Sequence, residues 1–286
     1  MFQVKWLCLL AIAFMLENAD LAWSAEKAAG IEIGIAPFLP VKTLVQNYAP
    51  MLIYLEQRLK EPVTMVTAPD YQRFNERIGQ HEYPLIITGA NSAYLAWAES
   101  GYVPLLRPII YTRPVMVVAK NQKLAHVRDL RGKKVAMSDA LAVVSMQGMQ
   151  MLREAGLVPG RDVTVMNMPN HGAAVNHVIS GEVSAAIVSD RALNQLPSAT
   201  RNKVKITQVW EQGAMPGIVY MGSPDLPRER LEHLSRVILE YARDVPEGVE
   251  LMRGLGYGGL APFGPDEIRN FTRYGEMLKE SMYKAP

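Results

Sequence analysis

Short apolar runs alternate with longer amphipathic stretches along most of this chain. The runs are continuous and rich in Val, Ile and Met, which is typical of strands that are buried on both faces of a parallel sheet. Because such strands alternate with helices, the pattern predicts an α/β fold. The predicted strands are residues 31–36, 63–68, 84–88, 115–119, 134–138, 163–168, 185–188, 204–210 and 217–221.

The predicted helices are marked mainly by the residues at their ends. Pro40 suits the first turn of a helix, because the N–H that proline lacks has no helical partner there. Asn170 is a favourable N-cap for a helix over residues 171–180, and Gly181 is well placed to end that helix. Another predicted helix is capped by Asn91 or Ser92, and Ser145 opens one over residues 146–155. The remaining predicted helices cover residues 228–243, 246–255 and 265–283.

The order of these elements predicts two lobes. Residues 222–286 contain helices but no predicted strand, so we expect them to pack on the first sheet. One lobe then consists of residues 28–112 and 222–286, and the other of residues 113–221, each a mostly parallel sheet flanked by helices. Two crossings, near residues 111–114 and 215–222, would form a hinge. A ligand is expected between the lobes, at the carboxyl ends of strands.

The N-terminus has the features of a secretory signal peptide. Lys5 precedes an apolar run over residues 6–16, and residues 22–24 form a small–any–small cleavage signal. The run is too short to span a bilayer. We therefore predict that residues 1–24 are removed and that the mature protein is periplasmic. An uncleaved N-terminal anchor is the alternative.

Composition narrows the classes of function. Of the 286 residues, 49% are hydrophobic and 20% are charged, which is ordinary for a folded globular protein. The formal net charge of +2 gives no reason to expect nucleic-acid binding. The single cysteine, Cys8, lies in the predicted signal peptide, so the mature chain has no disulfide and no cysteine nucleophile. Because no hydrolase or phosphate-loop motif is present, we predict neither an enzyme nor a cofactor.

Several helix starts are predicted to face one crevice. Small or polar residues stand where strands end and helices begin in the second lobe. Helix starts carry free backbone N–H groups and a partial positive charge, so several of them together make an anion pocket. Ser138 ends a predicted strand, and Ser145 and His171 begin helices. Phe38 follows the first strand and could form an apolar wall. These four side chains are candidates for ligand binding.

Four segments of the chain carry a likeness to a known family. They are Pro50-x-x-x-Tyr54-Leu55-Glu56 and residues 88–94 (TGANSAY), 129–136 (DLRGKKVA) and 171–183 (HGAAVNHVISGEV). In these segments the chain resembles the phosphate, phosphite and phosphonate type of periplasmic substrate-binding proteins of ABC transporters. The resemblance covers most of the predicted mature chain. It implies the type II periplasmic binding fold.

The resemblance also implies a pocket for a tetrahedral oxyanion. Tyr94 and His171 fall at pocket positions, and Tyr111 falls near another. The family has a run of Ser and Thr hydroxyls before the helix of the second lobe, whereas this chain has Ala, Val and Val at residues 142–144, followed by Ser145. Each unmet hydrogen bond of a buried anion costs on the order of 1–3 kcal/mol. We therefore expect a less charged, partly apolar ligand, with a smaller anion as the alternative.

Each candidate residue also has a structural alternative. His171 could cap its helix, Tyr94 could pack in the core, and Tyr111 could pack at the hinge. Phe38 could contact the helix that begins at Pro40. Methionines near His171 have the chemistry of a Cu(I) site, but methionine also fills irregular gaps in cores, and we predict no metal site.

The predicted function follows from the signal peptide, the two lobes and the resemblance to periplasmic substrate-binding proteins. We predict a monomeric solute-binding protein that captures a small ligand between its lobes and delivers it to the membrane permease of an ABC transporter. The alternative is an exported sensing subunit that presents the ligand to a membrane signalling protein. The two differ in the membrane partner and share the same site.

Overall fold

The computed structural model describes residues 30–283, which form two mixed sheets flanked by helices. The predicted signal peptide lies outside the described residues. Within residues 30–283, no helix combines the length and the apolar character needed to cross a membrane. The α/β fold predicted from the alternating pattern is confirmed.

Strands from both ends of the described chain form the first sheet. They are β1 (Ile31–Ile35), β2 (Val63–Val66), β3 (Leu85–Thr88), β4 (Val103–Pro108), β10 (Val219–Gly222) and β11 (Leu260–Pro262). Their order in the sheet is β11-β4-β10-β3-β1-β2. Strand β1 is parallel to β2 and β3, whereas β10 is antiparallel to β3 and β4.

The middle of the chain forms the second sheet. Its strands are β5 (Pro114–Ala119), β6 (Lys134–Met137), β7 (Thr164–Asn167), β8 (Ala185–Ser189) and β9 (Val204–Val209). Their order is β7-β6-β8-β5-β9. Strand β6 is parallel to β7 and β8, and β5 is antiparallel to β8 and β9. Parallel pairing is less dominant than predicted, because apolar runs report that a strand is buried but not in which direction it runs.

Helices cover both sheets. They are α1 (Val41–Leu59), α2 (Tyr71–Gly79), α3 (Ala90–Ser100), α4 (Val143–Glu154), α5 (His171–Ser180), α6 (Asp190–Asn194), α7 (Ser198–Arg201), α8 (Arg228–Asp244), α9 (Pro246–Leu255), α10 (Pro265–Ile268) and α11 (Thr272–Tyr283). Short 3-10 turns cover Val127–Leu130, Glu211–Gly213 and Arg269–Phe271.

The predicted ends of helix α5 are confirmed. The Asn170 side chain accepts a hydrogen bond from the backbone N–H of Ala173 at 3.0 Å. At the other end, Gly181 has a φ of +81°, a left-handed conformation that glycine adopts without strain.

The predicted starts of two other helices are wrong. Helix α3 begins at Ala90 rather than after Asn91 or Ser92, and α4 begins at Val143 rather than after Ser145. Neither has a side-chain cap. The polar side chains near these starts have tertiary partners instead: Asn91 Nδ2 donates to Leu141 O at 2.7 Å, and Ser145 Oγ donates to Ser138 O at 3.0 Å.

Two strands were not predicted, and one of them lies in the tail that was expected to contain none. Strand β11 has only three residues and pairs with β4 alone, so it is too short to show a period of two. Strand β4 contains Pro104 and Pro108, and proline is unfavourable inside a sheet because it has no N–H to donate.

The chain passes between the sheets at two adjacent crossings, between β4 and β5 and between β9 and β10. Thr112 on one crossing and Met215 on the other exchange backbone hydrogen bonds of 2.8 and 3.1 Å. Next to this bridge, a Cβ at Gly217 would lie 2.0 Å from Thr112 Oγ1, so only glycine allows the crossings to lie this close. The bridge keeps the two connections side by side.

Candidate ligand-binding site

A cavity of about 30 Å³ lies between the two sheets, next to the crossings. This volume is enough for about two water molecules. Its walls come from both sides of the crossings and are more apolar than polar. The lining residues are Phe38, Tyr71, Gly89, Thr112, Ala142, Val143, Val144, His171, Ser189, Ala192, Gln195, Gly217, Ile218 and Tyr257.

Five helices begin at this cavity. Gly89, Ala142 and Ser189 are the N-cap residues of α3, α4 and α6, and Tyr71 and His171 are the first residues of α2 and α5. The first N–H groups of a helix have no acceptor within that helix, and the helix dipole adds a partial positive charge there. The cavity therefore attracts negative charge without needing a cationic side chain.

His171 is the most unusual polar residue of the lining. Its side chain is buried, with a residue exposure of 3%, and its Nδ1 has no hydrogen-bond partner. Its backbone N–H donates to Phe38 O at 3.2 Å, across the gap between the sheets. Burial lowers the pKa of the imidazole to about 4, so the ring is neutral at neutral pH. A neutral ring has one donor and one acceptor nitrogen for a ligand.

Other polar groups of the lining belong to the crossings and to the loops after helices. The hydroxyl of Thr112 is buried without a partner. Gln195 Nε2 donates to the Tyr257 hydroxyl at 3.2 Å, and Gln195 Oε1 accepts from Asn47 Nδ2 at 3.4 Å. Gln195, at the end of α6 beside the second sheet, thus bonds to Asn47 and to Tyr257, which lie on the side of the first sheet.

The cavity carries no charged side chain among its lining residues. Asp190 directly follows the lining residue Ser189 in the sequence. Its carboxylate accepts hydrogen bonds from Arg113 Nε at 3.2 Å and from the Arg113 backbone N–H at 3.0 Å. Asp139 lies before α4, where burial raises the pKa of its carboxyl group and its Oδ1 accepts from Leu141 N at 2.8 Å. Both carboxylates are therefore engaged outside the cavity wall.

Of the six residues predicted to bind ligand, Phe38 and His171 line the cavity. Ser138 and Ser145 do not, although they lie close together. Their hydroxyl oxygens are 3.0 Å apart in the buried layer behind the start of α4. The two hydroxyls hydrogen-bond to each other, which avoids the free-energy cost of burying a hydroxyl without a partner.

The two remaining tyrosines are also away from the cavity wall. Tyr94 is more than one turn beyond the start of α3, where it packs against Trp97, with ring centroids 5.8 Å apart, and beside Gly275 of α11. Tyr111 is 38% exposed, and the Arg107 guanidinium lies 5.8 Å from its ring centroid. Tyr94 thus packs against other helices, as its structural alternative has it, whereas Tyr111 is exposed; a role of either tyrosine in binding stays a prediction.

Several lining residues were not predicted. Tyr71 and Ser189 stand where a strand has ended and a helix begins. This is the same pattern that marked His171 as a candidate. Gln195 and Tyr257 lie after short helices and have no local signal in the sequence. Among residues 30–283, no group of three or more His, Cys, Asp or Glu side chains is placed to hold a metal ion.

Burial of His171 should make the stability of the protein depend on pH. The unfolded chain binds a proton on this ring near pH 6.5, whereas the folded chain does so only near pH 4. Below pH 6.5 the unfolded state therefore holds more protons, and stability falls by about 1.4 kcal/mol per pH unit until pH 4 is approached. Above pH 6.5 this contribution is constant.

Urea unfolding at several pH values measures this effect. We expect the variant His171→Gln, which cannot bind the proton, to have a smaller loss of stability between pH 6.5 and 4.5 than the unchanged protein. His233→Gln, on α8, is the matched control and should follow the unchanged protein. Equal slopes for all three proteins would contradict the burial of a neutral imidazole.

Solved structures share this fold. A binding protein component of an ABC phosphonate transporter from Pseudomonas aeruginosa aligns with a TM-score of 0.73 at 14% identity, over 89% of each chain. PhnD1 from Prochlorococcus marinus, in complex with methylphosphonate, aligns at 0.75 and 14%, over 87% of this chain and 98% of that one. The periplasmic aliphatic sulphonate binding protein from Escherichia coli aligns at 0.58 and 18%, over 88% and 87%.

At these identities the likeness shows the fold, and the predicted type II periplasmic binding fold is confirmed. No curated protein matches the chain in sequence. The sequence model of one family, described as ABC transporter, phosphonate, periplasmic substrate-binding protein, matches residues 33–267. This match spans most of the chain, including both sheets and the cavity between them. The chain therefore belongs to the periplasmic substrate-binding proteins of ABC phosphonate transporters.

Proposed function

We propose that the protein captures a small organic oxyanion by closing two lobes around it. The lobes are residues 28–112 with 222–286, and residues 113–221, and the two crossings are the hinge. The observation that carries this proposal is the cavity itself, which lies between the sheets and is lined by the starts of five helices. Open α/β sheets place ligands at such strand ends.

Hydrogen bonds across the gap support closure. Asn91 on α3 donates to Leu141 O at 2.7 Å, and His171 on α5 donates its backbone N–H to Phe38 O at 3.2 Å. Each bond joins one proposed lobe to the other. Such bonds form when the lobes meet, so they stabilise the closed form in which a ligand is shielded from water.

The binding residues follow from the lining. The oxyanion would accept hydrogen bonds from the first N–H groups of α4 and from the hydroxyl of Thr112, and His171 would contact it through its unpartnered ring nitrogen. Phe38 and Ile218 would contact the apolar part of the ligand. The solved relatives that bind methylphosphonate and aliphatic sulphonates support a ligand of this class.

The lining favours binding without turnover. Ser189 Oγ already accepts from the N–H of Ala192 at 3.1 Å, and no carboxylate stands in the wall to orient His171 as a base. We propose that the mature protein acts as a monomer in the periplasm after removal of residues 1–24. Membership of the family favours delivery to an ABC permease over the alternative of a membrane sensor.

Titration calorimetry and thermal unfolding with methylphosphonate, methanesulfonate and phosphate test this proposal. At least one of them should raise the melting temperature by mass action, and small-angle scattering should show the protein becoming more compact as it binds. Binding without compaction would contradict closure, and no binding by any of them would contradict the ligand class. A new phosphorus or carbon resonance from the ligand after incubation would show turnover and contradict a purely binding role.

A further inference from the structure

We infer that the cavity selects ligands with a single negative charge and an apolar substituent, and that it rejects ligands that carry an amino group. The inference rests on the proposed capture of a small oxyanion and specifies the charge of that ligand. It follows from three properties of the lining: the absence of charged side chains, the number of free helix starts, and the apolar residues that face them.

The charges around the cavity are already paired. Arg113 contacts Asp190 at 3.2 Å and Glu211 at 2.8 Å, and Arg191 lies 3.8 Å from Asp190. Two cations and two carboxylates therefore neutralise one another, with Glu211 at the protein surface. None of these four residues lines the cavity. A ligand with two negative charges would find no counter-ion, and transfer of an unpaired charge from water into a protein interior is strongly unfavourable.

The helix starts supply only partial positive charges. At α5 the side chain of Asn170 accepts an N–H of the first turn, and at α6 the side chain of Ser189 does so. At α3 and α4 no side chain caps the helix. Each helix start contributes roughly half an elementary charge and only a modest interaction with an anion, which does not replace a counter-ion for a second negative charge.

Two buried polar side chains point to a ligand at the same place. Thr112 and His171 both line the cavity and are each 3% exposed, and Thr112 Oγ1 and His171 Nδ1 have no partner in the protein. A neutral imidazole and a hydroxyl can bond to an oxyanion but add no charge of their own. They therefore complete the hydrogen bonds of a monoanion without compensating a second charge.

The rest of the wall is suited to a short alkyl group. Val143, Val144, Ile218 and Phe38 present apolar side chains to the cavity. An ammonium group placed against them would lose its hydration and would find no carboxylate, since Asp139 is not part of the wall. A methyl or ethyl substituent carries no charge and avoids that cost.

Matched pairs of ligands test the inference in the unchanged protein. Ethanesulfonate and 2-aminoethanesulfonate differ only by the amino group, as do ethylphosphonate and 2-aminoethylphosphonate. We expect the alkyl member of each pair to bind at least about tenfold more tightly by calorimetry. At about pH 9, where the phosphonate carries two charges, ethanesulfonate should also bind about tenfold more tightly than ethylphosphonate.

A hydroxyl added at the start of α4 should reduce this preference. Val144→Thr keeps the branched shape and adds a donor, so it should narrow the difference between ethanesulfonate and ethylphosphonate. Val158→Thr is the control, because Val158 is 44% exposed and is not part of the wall. The comparison in the unchanged protein does not depend on either variant folding.

The outcomes separate this inference from the proposed function. Equal or tighter binding of the amino compounds, or of the doubly charged phosphonate, would overturn the inference and leave capture of an oxyanion intact. Failure of all four compounds and of phosphate to bind would overturn both.

Discussion

Gly248→Ala should lower the free energy of unfolding by about 1–3 kcal/mol or more, because it forces two packed helices apart. Gly248 lies in the first turns of α9, where that helix packs on α8. A Cβ at this position would lie 1.8 Å from the carbonyl oxygen of Tyr241 and 2.6 Å from its carbonyl carbon. These are backbone atoms, so no rotamer change can relieve the contact.

The same helix provides a control. Gly254 has no atom within 4 Å of the place where a Cβ would stand, and alanine is a better helix former than glycine by about 1 kcal/mol. Gly254→Ala should therefore leave stability unchanged or raise it. Urea unfolding followed by circular dichroism measures both variants. Similar stabilities for the two would show that α8 and α9 can separate at little cost.

Replacing His171 by alanine should weaken binding of the oxyanion by at least about tenfold, which corresponds to about 1.4 kcal/mol. The ring is buried, lines the cavity and has an unpartnered Nδ1, so its removal takes away a contact that the rest of the wall does not replace. Calorimetry with whichever of methanesulfonate or methylphosphonate binds the unchanged protein measures the effect.

His177 is the matched control on the same helix. Its Nδ1 lies 2.9 Å from Ala173 O and its Nε2 lies 3.4 Å from Glu182, away from the cavity lining. His177→Ala should leave the affinity unchanged. Unchanged affinity in His171→Ala as well would remove this histidine from the proposed binding site, whereas equal losses in both variants would indicate a general effect on helix α5.

Local sequence signals predicted those residues of the cavity lining that depend on a single strand end or helix start. His171 was found because Asn170 caps its helix and the preceding apolar run ends just before it. The same rule extends to Tyr71 and Ser189, which also stand at helix starts. Tyr94 does not line the cavity, because a residue one turn into a helix can face any neighbour, and here that neighbour is α11.

The polar residues at the start of α4 show why local rules fail. Ser145 has the chemistry of an N-cap, yet its hydroxyl bonds to Ser138 and the helix begins two residues earlier, at Val143. The competing partner comes from the end of β6, seven residues away in sequence. A side chain chooses between a local and a tertiary partner according to which is within reach after the sheets have packed.

The sequence by itself determined the alternation of strands and helices, because burial on both faces of a sheet requires continuous apolar runs. It also determined the capped start of α5, where residue 170 bonds within its own helix. Only the tertiary structure decided the direction of β10, the pairing of β11 and the wall formed by Gln195 and Tyr257. These features depend on segments far apart in the chain, and no local pattern records which distant backbone or side chain will meet them.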